Sequence, residues 1–122
     1  IYQRLKSELG DLEQVCKIHK PLQLIGSAGA FESFASMIHS NIDIKQLKAM
    51  TIDIQGYSKL SRKVIGSAHE EREEFEGLIK LRVDMIVIAC LLTNYVIEMV
   101  NPEKLSVSTY DLKMGVLSTL DL

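Results

Sequence analysis

One stretch of the sequence limits the possible folds more than any other, namely the segment from Val83 to Val100. Its apolar residues are too dense for a helix with a single buried face, so the helix should be surrounded by the rest of its domain. The uninterrupted apolar run covers only Met85 to Leu92, whereas a membrane span needs about 20 predominantly apolar residues. The segment therefore predicts a core helix and not a membrane segment.

The residues before this helix predict a strand, loop and helix unit that follows an N-terminal helix. From Ile1 to Cys16, apolar residues recur at three- and four-residue steps, which indicates a helix with one buried face that ends before Pro21. The short apolar run from Leu22 to Ile25 predicts a buried strand. Small residues from Gly26 to Ala30 then lead into a second amphipathic helix.

The middle of the chain predicts further helices. From Ile42 to Ile65 the apolar pattern is helical but broken. Ser67 is the expected N-cap of a short helix over residues 68–74, in which Glu70 would complete a capping box. The acidic run in that helix is more typical of a solvated face than of a metal or acid/base cluster.

The C-terminal part predicts a second strand and a final helix. Asn101 and Pro102 should end the core helix, because proline restricts the preceding residue and lacks an N–H donor. Leu105 to Val107 predicts a short strand, and Lys113 to Leu117 begins a helix. Strands that alternate with helices over 122 residues indicate one α/β domain that is rich in helix.

Two polar loops, Gly26 to Ala30 and Ser108 to Lys113, each follow a predicted strand and precede a predicted helix. Parallel strands would bring both loops to the sheet edge where α/β proteins bind ligands. Backbone N–H groups at a helix N-terminus attract anions, and a hydroxyl and a lysine add donors. The candidate phosphate-binding residues are Gly26, Ser27, Ala28, Gly29, Ser108 and Lys113. Taken alone, the glycines of the first loop are also explained by the geometry of a tight turn.

Composition excludes several other classes of function. The net charge of −2 argues against nucleic acid or an anionic membrane as the partner. The three histidines stand in separate segments without the spacing of metal ligands, so no metal site is predicted in this chain. Asp84 is expected to cap the core helix or to pair with Arg82. Cys16 and Cys90 are expected to be buried, reduced thiols of an intracellular protein.

Several short motifs recur in a characteristic order. They are Gly26–Ala30 after a strand, Glu70-Glu71-Arg72, Gly77-Leu78, Arg82–Val87 and Leu105–Gly115. Together, from about Leu22 to Leu117, they resemble the exopolyphosphatase and guanosine pentaphosphate phosphohydrolase family.

The resemblance implies an actin-like α/β fold of the ribonuclease-H type, helix-rich with a few short strands. Residues 1–122 would be a single domain fragment, the later half of the second domain of a longer protein. Family members remove the terminal phosphate from inorganic polyphosphate or guanosine pentaphosphate with a divalent metal, usually Mg²⁺. They are commonly dimeric, so a homodimer is expected for the longer protein. The cytoplasmic location expected for it rests on the two reduced cysteines. The catalytic glutamate and a glycine-rich acidic loop lie upstream of the matched motifs, so this chain should hold no catalytic residue and be inactive alone.

The chain departs from the family pattern in both polar loops. Ala30 stands where a threonine is usual, and Lys113 and Met114 stand where the family commonly has Arg-Glu. Lysine keeps the charge but not the bidentate geometry of arginine. These departures leave a non-catalytic regulatory module of the same fold, which binds a nucleotide or phosphate, as the alternative to an active enzyme. A purely structural helical domain that dimerises through the core helix is a third reading.

Overall fold

The computed structural model describes residues 1–121, and the predicted domain extends one residue further, to Leu122, which lies outside them. Described are seven helices and three strands. The helices are α1 (Tyr2–Glu8), α2 (Gly10–His19), α3 (Gly29–Ile38), α4 (Ile54–Ile65), α5 (His69–Glu73), α6 (Met85–Val100) and α7 (Leu112–Ser118). The strands are β1 (Gln23–Ser27), β2 (Ala49–Ile52) and β3 (Lys104–Ser108). Short 3-10 turns lie at Ile44–Gln46 and Lys80–Arg82.

The last strand in sequence is the central strand of the sheet. The strand order is β1-β3-β2, with β1 parallel and β2 antiparallel to β3. Leu105 and Val107 of β3 are fully buried and join the core on one face, because alternate residues of a strand share a face. Ser106 lies on the opposite face, where its hydroxyl accepts a hydrogen bond from the Gln23 amide at 3.0 Å. The expected helix-rich α/β architecture is therefore present.

The core lies between the sheet and helices α3, α4 and α6. Phe34 of α3 and Tyr57 of α4 meet edge to face, with ring centroids 5.1 Å apart. The buried apolar residues are Phe34, Ala35, Ile44, Ile52, Tyr57, Val64, Leu78, Val83, Ile86, Cys90, Leu105 and Val107. They come from helices α3, α4 and α6, from strands β2 and β3 and from the segments that connect them, so the core is closed only when β3 is in place.

Helix α6 is the predicted core helix, although it is not covered on all sides. It buries Ile86 and Cys90, and it ends as predicted at Asn101, which has left-handed backbone geometry (φ 49°) before Pro102. Ile88 and Leu92, one turn apart, are each 41% exposed. Part of the apolar surface of α6 is thus left uncovered by the rest of this chain. Across residues 1–121, no helix is long and apolar enough to cross a membrane.

The N-terminal helix differs from the prediction. The chain forms two helices, α1 and α2, that meet at Leu9, where the backbone turns out of helical geometry (φ −106°, ψ 13°) beside Gly10. Neither helix has a buried residue, and Cys16 is only partly buried. The expected buried face is therefore wrong for this chain. The predicted end before Pro21 is correct.

The prediction of interrupted helix from Ile42 to Ile65 is wrong at Ala49–Ile52, which forms β2. Exposure alternates along this strand, and Ile52 is buried against the core. Four residues are too few for a clear two-residue periodicity, so antiparallel pairing with β3 decides the conformation. Asp53 then begins α4, since its carboxylate accepts a hydrogen bond from the Gly56 N–H at 2.8 Å.

The predicted capping box of α5 does not form, because the N-cap is an alanine without a side-chain oxygen, and only the half supplied by a glutamate is present, one residue later than expected. Ala68, not Ser67, is the N-cap, and Glu71, not Glu70, accepts the hydrogen bond from its backbone N–H at 2.8 Å. The Ser67 hydroxyl instead donates to the Val64 carbonyl oxygen at the end of α4. The acidic residues of α5 lie on an exposed face, as expected.

A buried polar cluster joins α4 to α6. The Tyr57 hydroxyl donates to the Asn94 side-chain oxygen at 3.0 Å, and the Asn94 amide donates to the Ser61 hydroxyl at 2.8 Å. Burial raises the pKa of the Tyr57 hydroxyl, and it raises the pKa of the Cys90 thiol to about 11. Both groups are therefore neutral and structural over the physiological pH range.

We predict that Tyr57→Phe lowers the free energy of unfolding by about 1 kcal/mol, because it removes a buried hydrogen bond while keeping the ring. Urea unfolding followed by circular dichroism measures the change. Tyr110→Phe is the matched control, since Tyr110 is 52% exposed and its loss should cost less than about 0.5 kcal/mol. Equal stability of the two variants would show that the cluster is not stabilising.

Candidate functional site

The two polar loops singled out in the sequence follow neighbouring strands. Because β1 and β3 are parallel and in register, Ser27 pairs with Ser108 at their carboxyl ends. The loops therefore begin side by side at one edge of the sheet, as the sequence predicts. This edge is where α/β folds commonly bind ligands.

The first loop is shorter than predicted. Strand β1 extends through Ser27 and α3 begins at Gly29, so Ala28 alone connects them. Ala28 has φ 66° and ψ −169°, a region that is essentially restricted to glycine and costs other residues about 1–3 kcal/mol. The backbone is thus strained at the residue that joins the strand to the helix.

Gly26 has a packing role. It is buried in β1, and a Cβ atom at this position would lie 2.0 Å from Cδ1 of Phe31. The Phe31 ring occupies that space and packs edge to face on Phe34, with centroids 5.5 Å apart. Glycine at position 26 lets the first turn of α3 sit directly on the strand.

Arg82 fixes the first turn of α3. Its guanidinium donates to the Gly29 carbonyl oxygen and, at 2.8 Å, to the Ser33 hydroxyl. The contact needs a glycine, since a Cβ on residue 29 would lie 2.6 Å from Nη2 of Arg82. The sequence offered Arg82 only as an alternative partner of Asp84 at the start of the core helix. Its position within a motif of the family was the one signal for a role at the loop.

The N-terminus of α3 presents free donors. The first intrahelical hydrogen bond runs from the Glu32 N–H to the Ala28 carbonyl oxygen at 3.1 Å. The N–H groups of Gly29, Ala30 and Phe31 precede it and have no acceptor within the helix, and no side chain caps α3. These groups and the helix dipole favour an anion at this point.

The second loop is held by its own side chains. The Ser108 hydroxyl accepts a hydrogen bond from the Tyr110 N–H at 3.2 Å. Asp111 caps α7 by accepting from the Met114 N–H, which holds the pKa of the Asp111 carboxyl below its usual value. Lys113 is 85% exposed, and its ammonium lies 3.5 Å from the Asp111 carboxylate. This exposed ion pair is weak, and Lys113 remains in solvent.

The two loops open onto different grooves. Ser27, Ala28, Gly29 and Ala30 line an apolar groove of about 470 Å³ that is completed by α6. The second loop lines a groove of about 350 Å³ whose charged residues are Glu32, Lys45, Asp111 and Lys113. The structure therefore begins both loops at one sheet edge but does not bring the six candidate residues into one pocket.

Asp84 differs from its predicted role. It stands at the N-cap position of α6, yet its side chain makes no capping hydrogen bond, and it does not pair with Arg82. Its carboxylate instead lies 2.6 Å from Nδ1 of His69, a contact that sequence spacing did not suggest.

The described residues do not fit a magnesium site. No three side chains of the His, Cys, Asp or Glu type are arranged there to hold a metal ion. Mg²⁺ also prefers oxygen ligands in octahedral geometry, which the free N–H groups of α3 cannot provide. No step of a reaction is therefore assigned to a metal held by this part of the chain.

Comparison with known proteins identifies close structural relatives. The sequence model of the Ppx/GppA phosphatase family matches residues 2–121. A crystal structure of an exopolyphosphatase from Cytophaga hutchinsonii superposes with a TM-score of 0.87 and 31% identity, over 96% of this chain and 39% of that chain. The Aquifex aeolicus member of the Ppx/GppA family gives a TM-score of 0.71 at 20% identity, over 96% of this chain and 40% of that one. No protein with a curated description matches the sequence.

These matches confirm the predicted family and fold class, an α/β domain of the actin-like type found in that family. The chain spans about two-fifths of the length of the solved structures that it matches.

We predict that Gly26→Ala destabilises the domain by about 1–3 kcal/mol, because the new methyl group must displace the Phe31 ring. Gly115→Ala is the matched control. Residue 115 lies in α7 with open space around its Cβ position, so alanine should stabilise by about 0.5–1 kcal/mol. Thermal unfolding of both variants shows whether each one is destabilised or stabilised. An unchanged stability of Gly26→Ala would contradict the close approach of Phe31.

We predict that Ala28→Gly stabilises the domain by about 1 kcal/mol, because relief of backbone strain exceeds the added entropy of the unfolded chain. Urea unfolding measures the change. A loss of stability would mean that alanine is not strained at this position.

Proposed function

Because the chain belongs to the Ppx/GppA phosphatase family, we propose that the protein containing it removes the terminal phosphate from inorganic polyphosphate or guanosine pentaphosphate. Support comes from the 31% identity to an exopolyphosphatase that covers almost all of this chain. We further propose that residues 1–122 are the later half of the second domain of that protein, as the order of their motifs suggests.

The role proposed for this chain is to hold a phosphate group at the first turn of α3. The observation that carries the proposal is the pair of hydrogen bonds from Arg82, which fix this turn while its outer N–H groups have no acceptor in the helix. Ala28 and Gly29 form the rim of this cradle, and Gly26 and Ser27 set its position from β1. Ser108 and Lys113 would contact more distant phosphates of the same substrate.

The chemistry follows from the charge of the substrate. As a phosphoryl group is transferred, negative charge must be stabilised on its oxygens, and fixed N–H donors do so without reorganising. The backbone donors of α3 would supply this stabilisation. Activation of the attacking water, and the divalent metal that the family implies, are assigned to residues outside this chain.

A second candidate is a non-catalytic phosphate-binding regulatory module of the same fold. It is favoured by Ala30, which has no hydroxyl to offer a phosphate, and by the pairing of Lys113 with Asp111. Both candidates use the same cradle. They differ in whether the terminal phosphate of the bound substrate is cleaved off.

We also propose that the protein acts in the cytoplasm and as a homodimer. Cys16 and Cys90 are both free, which suits a reducing compartment. Exposed apolar residues of α7, among them Leu112 and Val116, offer surface for a subunit contact.

The test is phosphate release by the longer protein from polyphosphate and from guanosine pentaphosphate, with and without Mg²⁺. We predict release from at least one substrate. We also predict that Arg82→Gln lowers kcat/KM by about 100-fold, since misplacing a binding group by about 1 Å has an effect of this size.

Arg62→Gln is the matched control, because this exposed arginine of α4 lies away from the loop and should leave kcat/KM unchanged. Release from neither substrate under any metal condition would exclude the enzyme and favour the binding module. Equal kcat/KM values for Arg82→Gln and Arg62→Gln would contradict the proposed role of the first turn of α3.

A further inference from the structure

Helix α5 is attached to the start of α6 by two side chains. The Arg72 guanidinium donates to the Val83 carbonyl oxygen at 2.9 Å and also to the carbonyl oxygen of Ser67. The His69 ring lies between two carboxylates, with Nδ1 2.6 Å from Asp84 and Nε2 3.0 Å from Glu73. Val83 and Asp84 are thus held from the side of α5.

The arrangement around His69 requires a particular protonation state. A neutral imidazole has one N–H and one bare nitrogen, so only the imidazolium can donate to both carboxylates. The hydrogen bond to Asp84, and to a smaller extent the one to Glu73, raises the pKa of His69 above its usual value. These two carboxylates, one from α5 itself and one from α6, are the charged groups that face the ring.

The same short stretch also holds the candidate phosphate loop. Arg82 immediately precedes Val83, and its guanidinium donates to Gly29 and Ser33 of α3. Residues 82–84 are therefore hydrogen-bonded to α5 through Val83 and Asp84, and to the first turn of α3 through Arg82. A change in how α5 is attached would be passed through only three residues to Gly29.

We propose that His69, as the imidazolium, is a positioning residue for the first turn of α3, acting through Asp84 and Arg82. An effect of His69 on phosphate binding rests on the proposed function, whereas the structural coupling between His69 and the first turn of α3 does not. His69 touches no part of the loop itself. Its effect is to fix residues 82–84, and through them the donors of Gly29, Ala30 and Phe31.

The coupling has a defined dependence on pH. A group whose pKa is raised on folding stabilises the fold fully below its unfolded pKa, near 6.5 for histidine, and this stabilisation is lost as pH rises through the folded pKa. The attachment of α5 should therefore be complete at mildly acidic pH. It should weaken at alkaline pH, when one of the two carboxylates must face a bare nitrogen.

The test is a titration of the isotopically labelled chain by NMR from pH 5.5 to 9, without any phosphate present. We expect the backbone amide resonances of Gly29 and Ser33 to shift with the same midpoint as the ring protons of His69. In His69→Gln both amide shifts should disappear, whereas the matched control His39→Gln should retain them.

The proposal would be overturned if the amide resonances of Gly29 and Ser33 did not shift with pH in the unmutated chain while His69 titrates. This outcome needs no variant. Amide shifts that persist in His69→Gln would overturn it as well. Because no phosphate is used, failure here is distinct from failure of the phosphohydrolase proposal, which the release assay decides.

Discussion

The hydrogen bonds from Arg82 to the first turn of α3 are the interaction on which the candidate site depends. Hydrogen bonds to charged groups contribute about 1.5–3 kcal/mol each, which is enough to hold one helical turn in a single position. They fix the carbonyl oxygen of Gly29 and the Ser33 hydroxyl, while the N–H groups of the same turn have no acceptor within the helix. A strained Ala28 can persist beside them because the surrounding contacts determine the backbone.

The rest of the fold serves to bring these segments together. Strand β3 closes the sheet between β1 and β2, and its buried residues complete the core beneath α3, α4 and α6. Gly26 allows α3 to rest on β1, while the Tyr57 and Asn94 cluster sets α6 against α4. Arg82 ends the 3-10 turn that precedes α6. Its distance from Gly29 is therefore set by core packing and not by the loop alone.

The sequence predicted the elements whose signals are local. The apolar density of α6, its end at Asn101, and the succession of strand, small-residue loop and helix at β1 and α3 were readable from short windows. The predicted burial of the first strand was wrong, because β1 lies at the edge of the sheet and Ile25 is 60% exposed. Strand β2 was not, because four residues among helix-favouring neighbours adopt their conformation only by pairing with β3. The buried face expected for the N-terminal helix failed for a similar reason, since burial depends on what packs against the helix.

The site was predictable only in part. Two parallel strands followed by polar loops were enough to place Ser27 beside Ser108. The partner of Arg82 lies 53 residues away in sequence, and the pairing of His69 with Asp84 depends on how α5 folds back. Neither contact has a spacing that a single sequence reveals. The family motif that contains Arg82 gave no indication of what its side chain contacts.

The most direct test of the central claim is where a short polyphosphate binds on the 122-residue chain. Tripolyphosphate added to the labelled protein at fixed pH should shift the backbone amide resonances of Gly29, Ala30 and Phe31 more than any others, with a single saturating curve. Unchanged resonances at these three residues, with shifts confined to the exposed lysines, would contradict the assignment of the first turn of α3 as the phosphate cradle.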